Sequence, residues 1–571
     1  MNSKLTFSIL LGGALMFTSC GKKLTEIGAE YFSVNPSPLE VVGDKVPATV
    51  TAQIPQKFFL KDAEVTVTPY LVYGDKETAS APYTVQGEKV KGNNQVISYE
   101  NGGTVTFPVM YAYTPEMAKS DLMLDFQVQQ GSKTYALPRV KVAEGVISTS
   151  TIATAATVEP AASTDKFQRI INEKYTADIR FLINQTNVRK SELNSSELAA
   201  LKQRLNEAQG DAKLEVEGIN ISSYASPDGG VKLNTRIAEG REKNTQKYLN
   251  QTLKKNKIKE FGELTADFTP QDWEGFQQLV ANSNIQDKDL ILSVLSMYKD
   301  PEQREREIRN LSAVFDQLAE EILPQLRRSR LTASINVIGK SDEELMAAFN
   351  ADPTSLSVDE LLYTATLTDD NAKRAEIYKA CIKRDANDYR GYNNLGMVQF
   401  AEGDYSAAKA NFEKAQKLAP TSNEVKMNLG LCELMDNNLR NANNNFGAAA
   451  GAEGLNEALG VYYLKLGDYN NAVKAFGDSK SNNAALAQIM TKDYSKAKNT
   501  LSAIANPDAT TYYLLAVLGA RTNNEQMVLS NLAQAVKLDG SLAQKAATDM
   551  EFAKFNISSV VMGSVENRWG L

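Results

Sequence analysis

The chain has 571 residues, a length that divides into roughly three or four domains. Its 43% hydrophobic and 23% charged residues are typical of folded domains, and a net charge of -7 with a pI near 5.3 offers no basic field for nucleic acid. There is no histidine, which removes the commonest general base and transition-metal ligand, so an enzymatic reading starts with a handicap, and no cofactor is expected.

The N-terminus carries Lys4, an apolar run from Leu5 to Phe17, then Thr18, Ser19 and Cys20. The run is too short to cross a bilayer and reads as a secretion signal over residues 1–19. A signal followed directly by cysteine resembles the lipobox of bacterial lipoproteins, which implies acylation of Cys20 and a lipid anchor in the outer membrane. The alternative is a plain signal peptide with an incidental cysteine. Surface-exported lipoproteins of Bacteroidetes tend to carry acidic residues after the cysteine; Gly21, Lys22 and Lys23 stand there instead, which points to the periplasmic face.

A polar tether is expected over 20–37, followed over 38–145 by period-two alternation in KVPATVTAQI, AEVTVTPYLVYG, GGTVTFPVMYAY and LMLDFQVQQGSKTYALPRVKV. With turn residues about every ten positions, this predicts an immunoglobulin-like β-sandwich. Residues 146–164 are small and uncharged apart from Glu159 and read as a linker.

From 165 to 340 strand and helix patterns alternate, predicting a small α/β domain. TADIRFLINQTNVR and KLEVEGINISSYAS are strand-like, and SSELAALKQRLNEA is a helix with Ser196 and Glu197 at its start. A largely helical insertion is expected over about 255–324, before RRSRLTASINVIG resumes a strand. Glu320 and Glu321 in it are adjacent, do not face each other on a helix, and read as a solvated face.

In YASPDGGVKLNTRIAEGREKNTQKYL a helix would place Asn234, Ile237, Arg241, Thr245 and Tyr248 on one side. The spacing of Gly229, Asn234, Ile237, Ala238 and Arg241 resembles the OmpA C-terminal-like family, and the layout is similar to that of Bacteroidetes OmpA-like lipoproteins. The resemblance implies binding of the peptidoglycan stem peptide, with Arg241 gripping the diaminopimelate carboxylate through its planar fork. Ser226 stands where the family has an aspartate, and Asp228 follows two residues later. The candidate site is therefore Ser226, Asp228, Asn234 and Arg241. The other reading is that Arg241 pairs internally, with Asp228 as a candidate partner, and fixes the loop.

After a linker at 341–356, similarity at a period of about 34 residues runs over 357–545. Tyr392, Leu395, Gly396, Ala408, Phe412, Ala415 and Pro420 fit the tetratricopeptide pattern; Leu429, Gly430, Ala442, Phe446 and Ala449 repeat it, as do Leu459, Gly460, Tyr463, Ala472 and Phe476. This predicts an α-solenoid with a concave groove for a protein of the envelope, its contact residues not readable from the pattern, and a C-terminal tail at 546–571. Cys381 and Cys432 fall at apolar helical positions and are expected buried, two repeats apart and unbridged. The whole reads as a multidomain, non-enzymatic lipoprotein that tethers an envelope complex. A surface adhesin or assembly subunit whose OmpA-like part is only scaffold is the alternative.

Overall fold

The computed structural model describes residues 24–561 except 286 and 311; the signal segment and Cys20 lie outside the described residues. The chain forms two compact units, one made of residues up to Thr164 together with those from Arg374 onward, the other Asp165–Lys373.

The first unit begins with strands β1 (Phe32–Asn35), β2 (Leu39–Glu40), β3 (Lys45–Ile54), β4 (Ala63–Tyr73), β5 (Lys76–Ala79), β6 (Tyr83–Gly87), β7 (Gln95–Ile97), β8 (Gly103–Ala112), β9 (Asp121–Gln130), β10 (Lys133–Glu144) and β11 (Val146–Ile147). They form a sheet in the order β1-β3-β8 and a second in the order β10-β9-β4-β6-β7, with β5 beside β4. Alternate residues of the long strands, such as Val46 and Val50, Phe107 and Val109, Leu124 and Phe126, point into one shared core. The expected tether is shorter than 20–37: Leu24 and Ile27 drop into this core, and the Leu24 amide donates to the Tyr135 hydroxyl at 2.9 Å. β1 also falls inside the expected tether, and Leu24 and Ile27, three residues apart among polar neighbours, carry no period-two signal.

The second unit holds β12 (Ile170–Arg180), α1 (Ser196–Ala208), β13 (Leu214–Tyr224), α2 (Val231–Lys255), β14 (Glu263–Thr269), α3 (Trp273–Ala281), α4 (Lys288–Met297), α5 (Pro301–Asn310), α6 (Ser312–Gln317), α7 (Leu323–Leu326), β15 (Arg328–Ile338), α8 (Asp342–Ala351) and α9 (Val358–Thr366). Its four-stranded sheet has the order β12-β15-β13-β14, with β13 and β14 parallel and the other pairs antiparallel. Leu198, Leu201 and Leu205 of α1 and Leu249 and Leu253 of α2 pack with Ile219, Ile221, Leu331 and Ile335 of the sheet. Two expectations change. The insertion does not start at 255, because Glu263–Thr269 is a fourth strand; its helices begin at Trp273 and have a core of their own around Phe276, Ile291, Ile308 and Leu326. The expected linker at 341–356 is mostly helix, started by a capping box between Ser341 and Glu344. Glu320 and Glu321 are exposed, as read.

Helix α10 (Asn371–Arg384) leads into paired helices: α11 (Tyr389–Ala401) with α12 (Tyr405–Leu418), α13 (Asn423–Met435) with α14 (Leu439–Gly447), α15 (Leu455–Leu466) with α16 (Tyr469–Phe476), α17 (Asn482–Met490) with α18 (Tyr494–Ser502), and α19 (Ala509–Arg521) with α20 (Glu525–Leu538). One contact recurs. A Cβ on Gly396 would stand 2.7 Å from the Phe412 ring, one on Gly430 2.3 Å from Phe446, and one on Gly460 2.5 Å from Phe476. Each glycine lets an aromatic ring of the second helix lie against the backbone of the first, which sets the spacing of the pair. Cys381 and Cys432 are buried in these helices and form no disulfide; burial pushes the Cys432 thiol up to about 12. The expected tail does not hang free at its start: α21 (Leu542–Thr548) continues the array, and Glu551 and Phe552 are buried against the last pair. Arg521 pairs with Glu551 at 2.6 Å and with Glu40 of β2, which pairs with β11 in a separate two-stranded sheet, at 3.0 Å.

Candidate functional site

The loop joining β13 to α2 brings the four residues of the predicted site together. Arg241 lies on the buried side of α2 with Asn234, Ile237 and Thr245 and is 1% exposed. Its Nε donates to the Gln185 carbonyl at 3.0 Å, Nη1 to Tyr224 at 2.7 Å and Nη2 to Leu182 at 3.3 Å, with the Phe181 ring centroid 5.1 Å from the guanidinium carbon. Burial, helped by repulsion from Arg327 and opposed by Asp228, lowers its pKa to about 10, so it remains a cation at neutral pH. The guanidinium thus ties the end of β13 to the chain that follows β12.

Asn234 also holds main chain, donating to the Ser226 carbonyl at 2.9 Å and the Gly229 carbonyl at 2.8 Å. The Ser226 hydroxyl donates to the Asp228 carboxylate. Asp228 takes Arg327, not Arg241, as its ion partner, at 3.2 Å. Arg327 also donates to the Ser226 hydroxyl at 3.3 Å, and Arg309 of the insertion donates to the Asp228 carbonyl at 2.6 Å. A small pocket beside the loop is lined by insertion residues Trp273, Phe276, Ile308 and Leu318. Sequence reading missed Arg327, although it opens an arginine-rich stretch in which each cation finds its own acid: Arg328 meets Asp272 at 2.9 Å and Arg330 meets Asp178 at 2.9 Å.

The second site is the face of the repeats formed by α11, α13 and α17. The segment read as a linker lies along it. Ala153, Ala155, Val158 and Ala161 join the core of the repeats, and Ala155 and Ala161 are 0% and 1% exposed. Asn483 accepts the Thr154 amide at 3.2 Å and donates to the Thr154 carbonyl at 2.9 Å. Asn428 does the same for Ala161, at 2.7 and 2.9 Å, and Asn394 for Ser163, at 2.8 and 2.9 Å. Asn393 donates to the Ala161 carbonyl at 3.0 Å and accepts from Asn428 at 2.9 Å. Each side-chain amide offers one acceptor and two donors, so it satisfies both halves of one residue's main chain without reading its side chain. A Cβ on Gly454 would stand 2.8 Å from the Glu159 carbonyl, so glycine there admits the segment. The only charged side chain of the segment, Glu159, is exposed.

This corrects the linker at 146–164. Small uncharged residues were read as a solvated spacer; they are small because they fit between helices, and their peptide groups are satisfied by buried asparagines. The signal was available: Asn394 and Asn428 precede the Leu-Gly pairs of two successive repeats, a polar residue recurring where packing positions should be apolar. Among the described residues no group of three or more acids or cysteines could hold a metal, and no helix is long and apolar enough to cross a membrane.

No curated protein matches the chain. Among solved structures, a tetratricopeptide repeat protein from Parabacteroides merdae is 14% identical with a TM-score of 0.28, covering 35% of this chain and 85% of that one. The APC/C hetero-tetramer Cut9–Hcn1 is 14% identical with a TM-score of 0.31, covering 65% and 79%, and yeast Tom70 is 12% identical with a TM-score of 0.25, covering 65% and 81%. Family models for the tetratricopeptide repeat match residues 389–422 and 455–486. With the paired helices and their glycine–phenylalanine contacts, these matches identify the C-terminal region as an array of tetratricopeptide repeats.

Proposed function

We propose that this chain is a non-enzymatic scaffold of the bacterial envelope, acylated at Cys20, held at the outer membrane on its periplasmic side, and docking a protein partner through its repeats. The repeat array carries this reading: stacked helix pairs build an extended surface suited to protein contacts. The short tether supports the anchor. Only Gly21, Lys22 and Lys23 separate Cys20 from the buried Leu24, a span of at most about 14 Å, so an acylated protein would stand with its sandwich against the headgroups.

Within this reading the α/β unit is a rigid part of the scaffold, and Arg241 shapes its loop. What supports that role is where its donors go, to three main-chain carbonyls. A second reading keeps wall association, and one observation favours it: Asp228 supplies a carboxylate in the loop where Ser226 replaces the family's acid. Sedimentation of the full-length protein with purified peptidoglycan decides between them. On the scaffold reading the protein stays in the supernatant; sedimentation that free diaminopimelate stem peptide competes away would establish the wall-binding reading instead.

A further inference from the structure

We propose that the face of the repeats carrying Asn394, Asn428 and Asn483 is a peptide-reading site kept occupied in cis by residues 153–164, so that a partner gains it only by displacing that segment. The ligand class follows from the contacts. Three asparagines each clasp the amide and carbonyl of a single residue, Thr154, Ala161 and Ser163, which fixes the main chain at these points and ignores the side chain, while the chain between Thr154 and Ala161 turns through a Val158 amide to Ala155 carbonyl bond of 3.1 Å. Selectivity comes from steric room. Ala155 and Ala161 are fully enclosed and tolerate nothing larger, whereas Glu159 looks outward. The site therefore takes a peptide rich in alanine, serine and threonine that can turn where Ala155–Val158 do.

Occupation in cis follows from connectivity. The segment is tied at its upstream end, where β11 pairs with β2, the Ser150 hydroxyl donates to the Val41 carbonyl at 2.9 Å, and the Thr149 hydroxyl donates to Glu551 at 2.5 Å. A peptide tethered this closely acts at an effective concentration of the order of millimolar, so a competitor of micromolar intrinsic affinity is weakened about 1000-fold. Displacement strands no polar group, because the asparagines and the released peptide groups are then open to water. The proposal rests on the reading of the repeats as a protein-docking module.

The test uses the full-length protein and a fluorescent synthetic peptide with the sequence of residues 150–165, STIATAATVEPAASTD. Ala161→Asp puts a charge into an enclosed position and should expel the segment while leaving the asparagines intact. Ser163→Pro is a milder variant that removes the amide held by Asn394 without burying charge. Circular dichroism checks that each variant is folded. The wild type should leave the peptide free at concentrations where a folded variant binds it at least about 100-fold more tightly. Wild type binding as tightly as the variants would overturn the cis occupation and leave the docking reading standing. Folded variants that fail to bind would overturn the peptide-reading site, whereas the docking reading falls only if the repeats take no protein on any face.

Discussion

Replacing Arg241 by alanine should unfold the α/β unit at markedly lower denaturant, because the side chain is buried and serves three carbonyls at once. A hydrogen bond from a charged donor contributes about 1.5–3 kcal/mol, which brackets the three at about 4.5–9 kcal/mol. Water entering the vacated space rehydrates part of the loop, bringing the net loss closer to the ~3–5 kcal/mol seen when a buried charged partner is removed. Urea unfolding followed by tryptophan fluorescence suits this unit, since the chain has two tryptophans, Trp273 in α3 and Trp569 near the C-terminus. In a Trp569→Phe background the signal comes from Trp273 alone. Taking a slope of about 2.5 kcal/mol per molar, the midpoint should fall by about 1–2 M. Arg241→Lys should lose about half as much, because a compact ammonium keeps the charge but cannot span all three acceptors. A midpoint within about 0.2 M of wild type for Arg241→Ala would refute the structural role and the reasoning from its hydrogen bonds.

The repeats and the proposed anchor at Cys20 supply further tests. Gly396→Leu should destabilise the array by about 1–3 kcal/mol, read as a lower melting midpoint, because even a Cβ would stand 2.7 Å from the Phe412 ring. Arg521→Met should cost about 3–5 kcal/mol by leaving the buried Glu551 beside Glu40 without a counter-charge, and adding Glu551→Leu should recover most of it. Cys432, its thiol pushed up to about 12 by burial, should resist iodoacetamide at pH 8 until the array unfolds. Because the unfolded thiol ionises near 9.0, Cys432 makes stability fall as pH rises from 9 toward 12 and has no such effect below 9; Cys432→Ala should flatten that alkaline loss. Cys20→Ala should move the protein from the membrane fraction to the soluble fraction after a salt wash.

Sequence periodicity was most legible where one residue type must recur for packing. Gly396, Gly430 and Gly460 each accommodate a phenylalanine, so the repeats could be placed before any helix was seen. The alternation in β3, β4, β8 and β9 was equally plain, because one face of each strand is buried. In contrast β14 was lost inside the expected insertion: Leu264, Ala266 and Phe268 do alternate, but it is an edge strand of only seven residues, followed directly by the helices of the insertion. The helix face around Arg241 was read correctly, yet which atoms its guanidinium meets could not be, since Gln185 and Leu182 belong to a loop whose course depends on the whole unit. Composition misled most at 146–164. A run of small uncharged residues fits a solvated linker and a segment packed along helices equally well, and only the partner distinguishes them. That partner was the recurring asparagine, which a search for apolar packing positions passes over.

Hydrogen exchange on the full-length protein bears most directly on whether the repeat groove is filled by the chain itself. The amides of Thr154, Ala161 and Ser163 donate to Asn483, Asn428 and Asn394. They should exchange as slowly as amides of the repeat helices, and Asn428→Ala should speed Ala161 most. Exchange of all three at the rate of an unstructured peptide in the wild type would contradict the account, leaving an open groove and a free linker.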